Sequence, residues 1–358
     1  SSDADFVITG TVYPHENKPE GPFGDHLGYY SLQHPFPLMR VHKVYARKNA
    51  IWPFTVVGRP PQEDTSFGQL IHHMTGSAVQ AEIPGLKEVH AVDASGVHPL
   101  LLAVGSERYT PYAPTKQPAE LLTIANHILG TGQLSLAKFL FITASDRGEI
   151  KVSDIPAFFK YVLERFQPER DLHFHTHTTI DTLDYSGTGL NSGSKLVFAA
   201  YGEKVRELST DVPVVCKNLN GFHDAHIAIP GVLALQTGPF KNYESAKDDM
   251  NSLDAQLNGH LDALSGIAMI IIADDAAMVA ATLNNFLWVS FTRCNPSHDI
   301  YGIAPKTEYK HWGCSGPVVI DARIKPHHAP PLVKDPEVER SIDPIFDKGG
   351  SLYQKLPS

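Results

Sequence analysis

Apolar and polar positions alternate with a period of two from the first residues. Phe6, Ile8, Gly10 and Val12 fall on one side, with Val7, Thr9 and Thr11 on the other. That spacing predicts a β-strand. A turn-rich stretch over 14–28 follows, then two further strand candidates at 37–46 and 50–57. Three strands joined by loops cannot close a core, so residues 1–64 read as the back half of something larger.

From Thr65 the rhythm changes. Phe67, Leu70, Ile71, Met74 and Ala78 recur at helical spacing over 66–81, and Pro84-Gly85 stops the pattern. Strands are predicted at 87–92 and 100–104, a helix from Pro118 to Gly130, a strand at 138–143 and an amphipathic helix over 155–166. This alternation predicts a layered α/β domain over 65–213.

A second unit over 214–330 echoes the first. Phe141-Ile142-Thr143-Ala144-Ser145-Asp146 returns as Ile270-Ile271-Ile272-Ala273-Asp274-Asp275, and Phe158, Arg165, Pro168 and Asp171 return as Phe286, Arg293, Pro296 and Asp299. The offset is far longer than a solenoid period, so an internal duplication is predicted. In the tail, 331–358, Val338 and Ile342 share one face of a short helix over 334–346.

Composition narrows the function classes. Hydrophobic residues make up 42% and charged residues 19%, which supplies a core and excludes wholesale disorder. Thirty Lys and Arg face 39 Asp and Glu, for a net charge of −9 without a basic block, so no nucleic-acid partner is expected. The apolar run 267–273 falls far short of a membrane span, so no transmembrane segment is expected. Cys216, Cys294 and Cys314 form no CxxC pair and read as core residues of a reducing compartment. With no secretory leader visible, a cytoplasmic location is expected.

The stretch richest in chemistry is Pro19-Glu20-Gly21-Pro22-Phe23-Gly24-Asp25-His26-Leu27-Gly28-Tyr29-Tyr30. Pro19 and Pro22 stiffen the segment, while Gly21 and Gly24 permit close approaches. Such a loop can aim Glu20 and Asp25 into one pocket, where like charge and desolvation would leave one acid protonated. A surface turn with two solvated acids is the competing reading.

Glu20 to Asp25, with Gly28-Tyr29-Tyr30, Tyr45-Ala46-Arg47-Lys48-Asn49-Ala50-Ile51 and Gly58-Arg59-Pro60-Pro61, resembles the UbiD-type decarboxylases. Lys334-Asp335-Pro336 with Ile342-Asp343 resembles that family's C-terminal helix. The resemblance implies part of a split β-barrel flavin-binding domain over 1–64, followed by the enlarged α/β portion. It also implies removal of CO2 from a small aromatic carboxylic acid, with a polyprenyl-4-hydroxybenzoate as one candidate, using prenylated FMN, a divalent metal (Mn or Mg) and potassium. Asp25 maps onto the proton donor, and Glu20 onto the acid that holds the catalytic arginine. That arginine and the metal ligands lie upstream of the loop in the family, so no metal ligand is assigned in this chain. Taken by itself the chain is expected to be an inactive C-terminal portion of a long-form member.

The resemblance further implies a flavin prenyltransferase as cofactor supplier and a homo-oligomer, dimer or hexamer. Arg59 does not occupy the catalytic arginine's position, but it and Thr65 are expected to face the substrate pocket. Thr65 or Ser66 also suits a helix N-cap. The competing function is a non-catalytic assembly module of a decarboxylase complex.

Other features read as structural. His173, His175 and His177 share a strand face that reads as polar. The pairs His72-His73 and His327-His328 diverge, as adjacent residues do. The segment from Gly187 to Lys195 fails both phosphate-loop patterns and reads as a connector. Lys138 reads as a strand-end lysine reaching solvent.

Overall fold

The computed structural model describes residues 3–52, 57–62, 64–109, 112–145, 150–333 and 335–355, with the side chains of 64, 72, 73, 75 and 77 left out. The His72-His73 pair therefore lies outside the described side chains, and Lys334 lies outside the described residues. The opening alternation becomes β1 (Phe6–Glu20), paired antiparallel with β2 (His34–Ala46). β1 thus runs through the stretch predicted as turns. Register shifts between Thr9 and Gly10 and between Val12 and Asn17 let the strand absorb its irregular residues. Of the predicted strand at 50–57, residues 50–52 and 57 are not extended ladder and the remainder lies outside the described residues. The ribbon leaves Ile8, Val12, Phe36, Met39 and Val44 exposed, and no closed barrel forms among the described residues.

α1 (Asp64–Glu82) follows, with Phe67, Leu70, Ile71 and Met74 exposed. Next come β3 (Glu88–Val92), β4 (Val97–Gly105), α2 (Glu120–Leu129), β5 (Phe139–Ala144), α3 (Ile155–Arg165), β6 (Leu172–Thr178) and β7 (Gly193–Ala200). The second unit supplies β8 (Phe222–Ile229), β9 (Val232–Thr237), α4 (Tyr243–Leu257), β10 (Met269–Ala273), α5 (Ala276–Ala281), α6 (Leu283–Thr292) and α7 (Pro296–Asp299). β11 (Ile300–Gly302), β12 (Pro305–Glu308), β13 (His311–Cys314) and β14 (Val318–Asp321) complete it, before the tail helix α8 (Pro336–Phe346).

The duplication predicted from the echo is visible in the topology. One five-stranded sheet runs β3-β4-β5-β7-β6 and the other β8-β9-β10-β14-β11. In each, parallel pairs occupy the centre and an antiparallel strand closes each edge. The echoed aspartates do the same job in both copies. Asp171 accepts from the Gln167 N–H at 2.8 Å and Asp299 from the Asn295 N–H at 2.6 Å, fastening the turn that follows each helix.

Alternation decides which layer each residue enters. In the first sheet Leu100, Leu102, Phe139, Phe141 and Phe198 face one core, while Leu101, Ala103, Leu140 and Ile142 face α2. The second sheet sends Val232, Ala234, Met269 and Ile271 into that same first core, and Leu233, Leu235, Ile270 and Ile272 toward α4. α3 and α6 furnish the shared core with Phe158, Phe159, Phe286 and Phe291. Phe291 lies 5.1 Å from Phe139 and Phe286 lies 5.9 Å from Phe159, ring centre to ring centre. The two copies are therefore joined by aromatic packing as well as by chain.

Candidate functional site

The acidic loop is held in place by the second copy. Within it, the Asp25 N–H donates to Tyr29 O at 2.9 Å and the Phe23 N–H to Ser31 Oγ at 3.1 Å. The indole of Trp288 on α6 donates to Leu27 O at 2.8 Å, and Leu27 itself enters the shared core. From the segment before α8, Leu332 N–H donates to Gly28 O and Pro330 O accepts from Tyr30 N–H. Gly28 has φ +88°, and a β-carbon there would lie 2.9 Å from the Trp288 indole nitrogen, so only glycine suits the position.

Asp25 is half-buried, with 13% of its side chain exposed. Its Oδ1 accepts from its neighbour's backbone, His26 N–H at 2.8 Å, and lies 3.2 Å from the His26 ring nitrogen Nδ1. Its Oδ2 is buried without a hydrogen-bond partner among the described residues. Glu20 does not share this setting. It ends β1 opposite His34, 42% exposed, with His34 Nε2 at 3.9 Å. The expected aiming of both acids into one pocket is thus not formed by the described residues, because the ribbon carries Glu20 outward before the loop begins.

Arg59 and Thr65 are separated as well. The guanidinium of Arg59 stacks 4.3 Å from the Trp288 ring and donates through Nη2 to Asn285 on α6. Burial, then the nearby Arg293 charge, lower its pKa, against an opposing effect of Tyr29. Thr65 lies inside the first turn of α1, where neither it nor Ser66 is the N-cap. Its hydroxyl accepts from the Gln62 N–H and donates to Asp93 Oδ2 at 2.7 Å.

Residues that spacing did not reveal surround Asp25. His26 Nε2 lies 3.8 Å from Asp181 Oδ2, and His98 Nδ1 is hydrogen-bonded to that same oxygen. Burial works to raise the Asp181 pKa, but the hydrogen bonds from His98 and Leu183 and the charges of both histidines hold it below its ordinary value. The only hint of this cluster in the sequence is that His26 follows Asp25.

Three further expectations change with the structure. Lys138 does not reach solvent, because its ammonium is buried against Asp184 at 2.7 Å. Lys195 is buried too, donating to Ser135 O and Ala137 O, and burial lowers its pKa to about 8. His173 is half-buried beside His311, with ring centres 5.3 Å apart, and burial lowers its pKa to about 4. The three cysteines are buried as expected.

The described residues do not fit a flavin by themselves. The cavity beneath the loop holds about 260 Å³ and is lined by Leu27, Tyr29, Asp184, Ser186, Thr292 and His328, smaller than the usual range for ligand pockets. Its polar lining is committed, Asp184 to Lys138 and Tyr29 to Thr292.

Residues 65–200 match the C-terminal domain model of 3-octaprenyl-4-hydroxybenzoate carboxy-lyase, and residues 1–60 match the Rift-related domain model of the same enzyme group. The chain belongs to the UbiD family. A curated UbiD-type relative from Chlamydia pneumoniae, one of the subunits of a 4-hydroxybenzoate decarboxylase, is 36% identical over 340 residues, covering 95% of this chain and 54% of that protein. An uncharacterized protein of Chlamydia caviae is 34% identical, covering 99% of this chain and 56% of its own length. The chain thus spans about half the length of the curated relatives it matches. Among solved structures, the UbiD-class enzyme HmfF of Pelotomaculum thermopropionicum in complex with FMN aligns at 20% identity and TM-score 0.43, over 63% of this chain and 45% of that one. Vanillic acid decarboxylase of Sedimentibacter hydroxybenzoicus aligns at 16% identity and TM-score 0.45, over 70% and 46%.

Proposed function

We propose that the protein to which this chain belongs is a carboxy-lyase that removes CO2 from an aromatic carboxylic acid, with Asp25 as the proton donor. Family membership supports the reaction class. The observation that carries the role is the asymmetry of the Asp25 carboxyl, with Oδ1 held by His26 and Oδ2 buried without a partner. Loss of CO2 leaves carbanion character at the ring carbon, and a half-buried acid positioned by a neighbour suits protonation of that carbon. Glu20 and Arg59 then act at the periphery, Glu20 on the arginine expected upstream and Arg59 by fixing the loop against Trp288.

Prenylated FMN, with a divalent metal and potassium, is the cofactor set this reading takes from the family. Its contacts are assigned to the part of the relatives that this chain does not span. A polyprenyl-4-hydroxybenzoate-type acid is the candidate substrate, and a cytoplasmic homo-oligomer the candidate assembly. Assaying the full-length protein for CO2 release from 4-hydroxybenzoate and its 3-alkylated analogues tests the reaction class. Release that depends on added flavin cofactor is expected, and no release from any aromatic acid overturns the reading.

The exposed apolar residues of α8, Val338, Ile342, Ile345 and Phe346, favour a second role, contact between protomers. It accompanies catalysis in this reading. A chain that assembles but carries no activity would leave assembly as its sole role.

A further inference from the structure

We propose that His26, His98 and Asp181 form a binding site for a divalent transition-metal ion of the zinc type. One ligand atom from each lies within 4.8 Å of the other two. Tetrahedral coordination with bonds of about 2.1 Å brings such atoms to roughly 3.4 Å apart, a modest contraction of the present arrangement. Two imidazoles and one carboxylate are a nitrogen-rich set that favours Zn²⁺, Co²⁺ or Ni²⁺ over Mg²⁺ or Ca²⁺. A fourth position is left for water.

Three separate segments present these groups, and each is fixed. His26 belongs to the loop fastened by Trp288. His98 stands in β4, where its carbonyl accepts from the Lys138 N–H at 3.2 Å. Asp181, 83 residues further along than His98, has its other oxygen held by the Leu183 N–H at 3.0 Å. Both histidines aim a nitrogen at one oxygen, Asp181 Oδ2, which is the convergence a shared ion satisfies.

Charge points the same way. Asp25 and Asp181 have only 13% and 7% of their side chains exposed, and their described ion pairs are all with histidine. Neutral imidazoles leave both negative charges uncompensated, and a divalent cation balances them. The arrangement also has the outer carboxylate usual for metal-bound histidine, since His26 turns its second ring nitrogen to Asp25 Oδ1 at 3.2 Å. The site does not depend on the decarboxylase reading.

Calorimetric titration of chelator-stripped protein with Zn²⁺ tests it, with Co²⁺ as a spectroscopic probe. One tight equivalent is expected, unmoved by millimolar Mg²⁺, with the strong visible bands of four-coordinate Co²⁺. Asp181→Asn and His98→Gln should each weaken that equivalent by about 100-fold, and Asp25→Asn by about 10-fold. His26→Gln, in the loop, replaces either variant if its circular dichroism shows that it fails to fold. The chain has 19 histidines, so adventitious Zn²⁺ binding is the alternative outcome. Equal affinity in the variants, weak multisite uptake only, or no uptake by the wild type each overturns the site.

Discussion

Lys138 and Asp184 form an ion pair 2.7 Å apart with 1% and 2% of their side chains exposed. The Lys138 ammonium also donates to Ser186 Oγ at 2.7 Å and to Thr292 O at 3.3 Å, tying the head of β5 to the end of α6. It therefore bridges the two copies of the repeat. Removing one partner strands a buried charge, so Lys138→Met should cost about 3–5 kcal/mol. The double variant Lys138→Met with Asp184→Leu should recover much of that loss. Urea denaturation of the single and double variants measures both, and a single variant as stable as wild type contradicts the bridge.

Gly28 is the point where the acidic loop meets Trp288. At φ +88° and with the indole nitrogen 2.9 Å from a built β-carbon, Gly28→Ala should destabilise the protein by about 1–3 kcal/mol. Amide exchange should rise in residues 25–30 more than in the sheets. A melting temperature equal to wild type contradicts this anchoring.

His328 supplies a pH-dependent contribution. Burial, followed by the Lys325 charge, lowers its pKa to about 2, against 6.5 for the free side chain. Below pH 6.5 the unfolded chain binds a proton that the folded chain refuses, so acid favours unfolding. The contribution is complete above pH 6.5 and is lost progressively as pH falls. Asp171 and Asp299, which burial raises to about 6, act oppositely, since their contribution is complete below 3.8 and lost as pH rises through 6. The total is a difference of these effects, so a variant is needed to isolate the histidine's share. The stability gap between wild type and His328→Gln should shift toward the variant between pH 7 and pH 5. A gap independent of pH in thermal melts contradicts the assignment.

The tail offers a test of assembly. α8 carries Val338, Ile342, Ile345 and Phe346 on an otherwise charged helix, all exposed in the single chain. Deleting residues 334–358 should lower the oligomer mass by sedimentation while leaving the melting temperature of the sheets within a few degrees. Unchanged sedimentation removes the tail from the protomer contact.

The sheets are legible in the sequence because burial on both faces leaves continuous apolar runs such as Phe139–Ala144 and Met269–Ala273. Their duplication is legible because the echoed aspartates close equivalent helix ends. The full length of β1 is not, since Pro14, Asn17 and Pro19 signal turns but sit where the ribbon's register shifts accommodate them. Nor is the burial of Lys138, because its partners lie 46 and 154 residues away, and position at a strand end says nothing about what covers it. The grouping of His26, His98 and Asp181 is hidden for the same reason. Their spacing matches no local motif, and only the packing of three segments brings them together.

The proton-donor role of Asp25 is tested most directly by Asp25→Asn in the full-length protein, assayed for decarboxylation of an aromatic acid that the wild type accepts. The substitution keeps the shape of the side chain and removes the proton. A fall in kcat of about 10²–10⁴-fold, with KM within a few-fold of wild type, is predicted. Turnover at the wild-type rate would contradict the account.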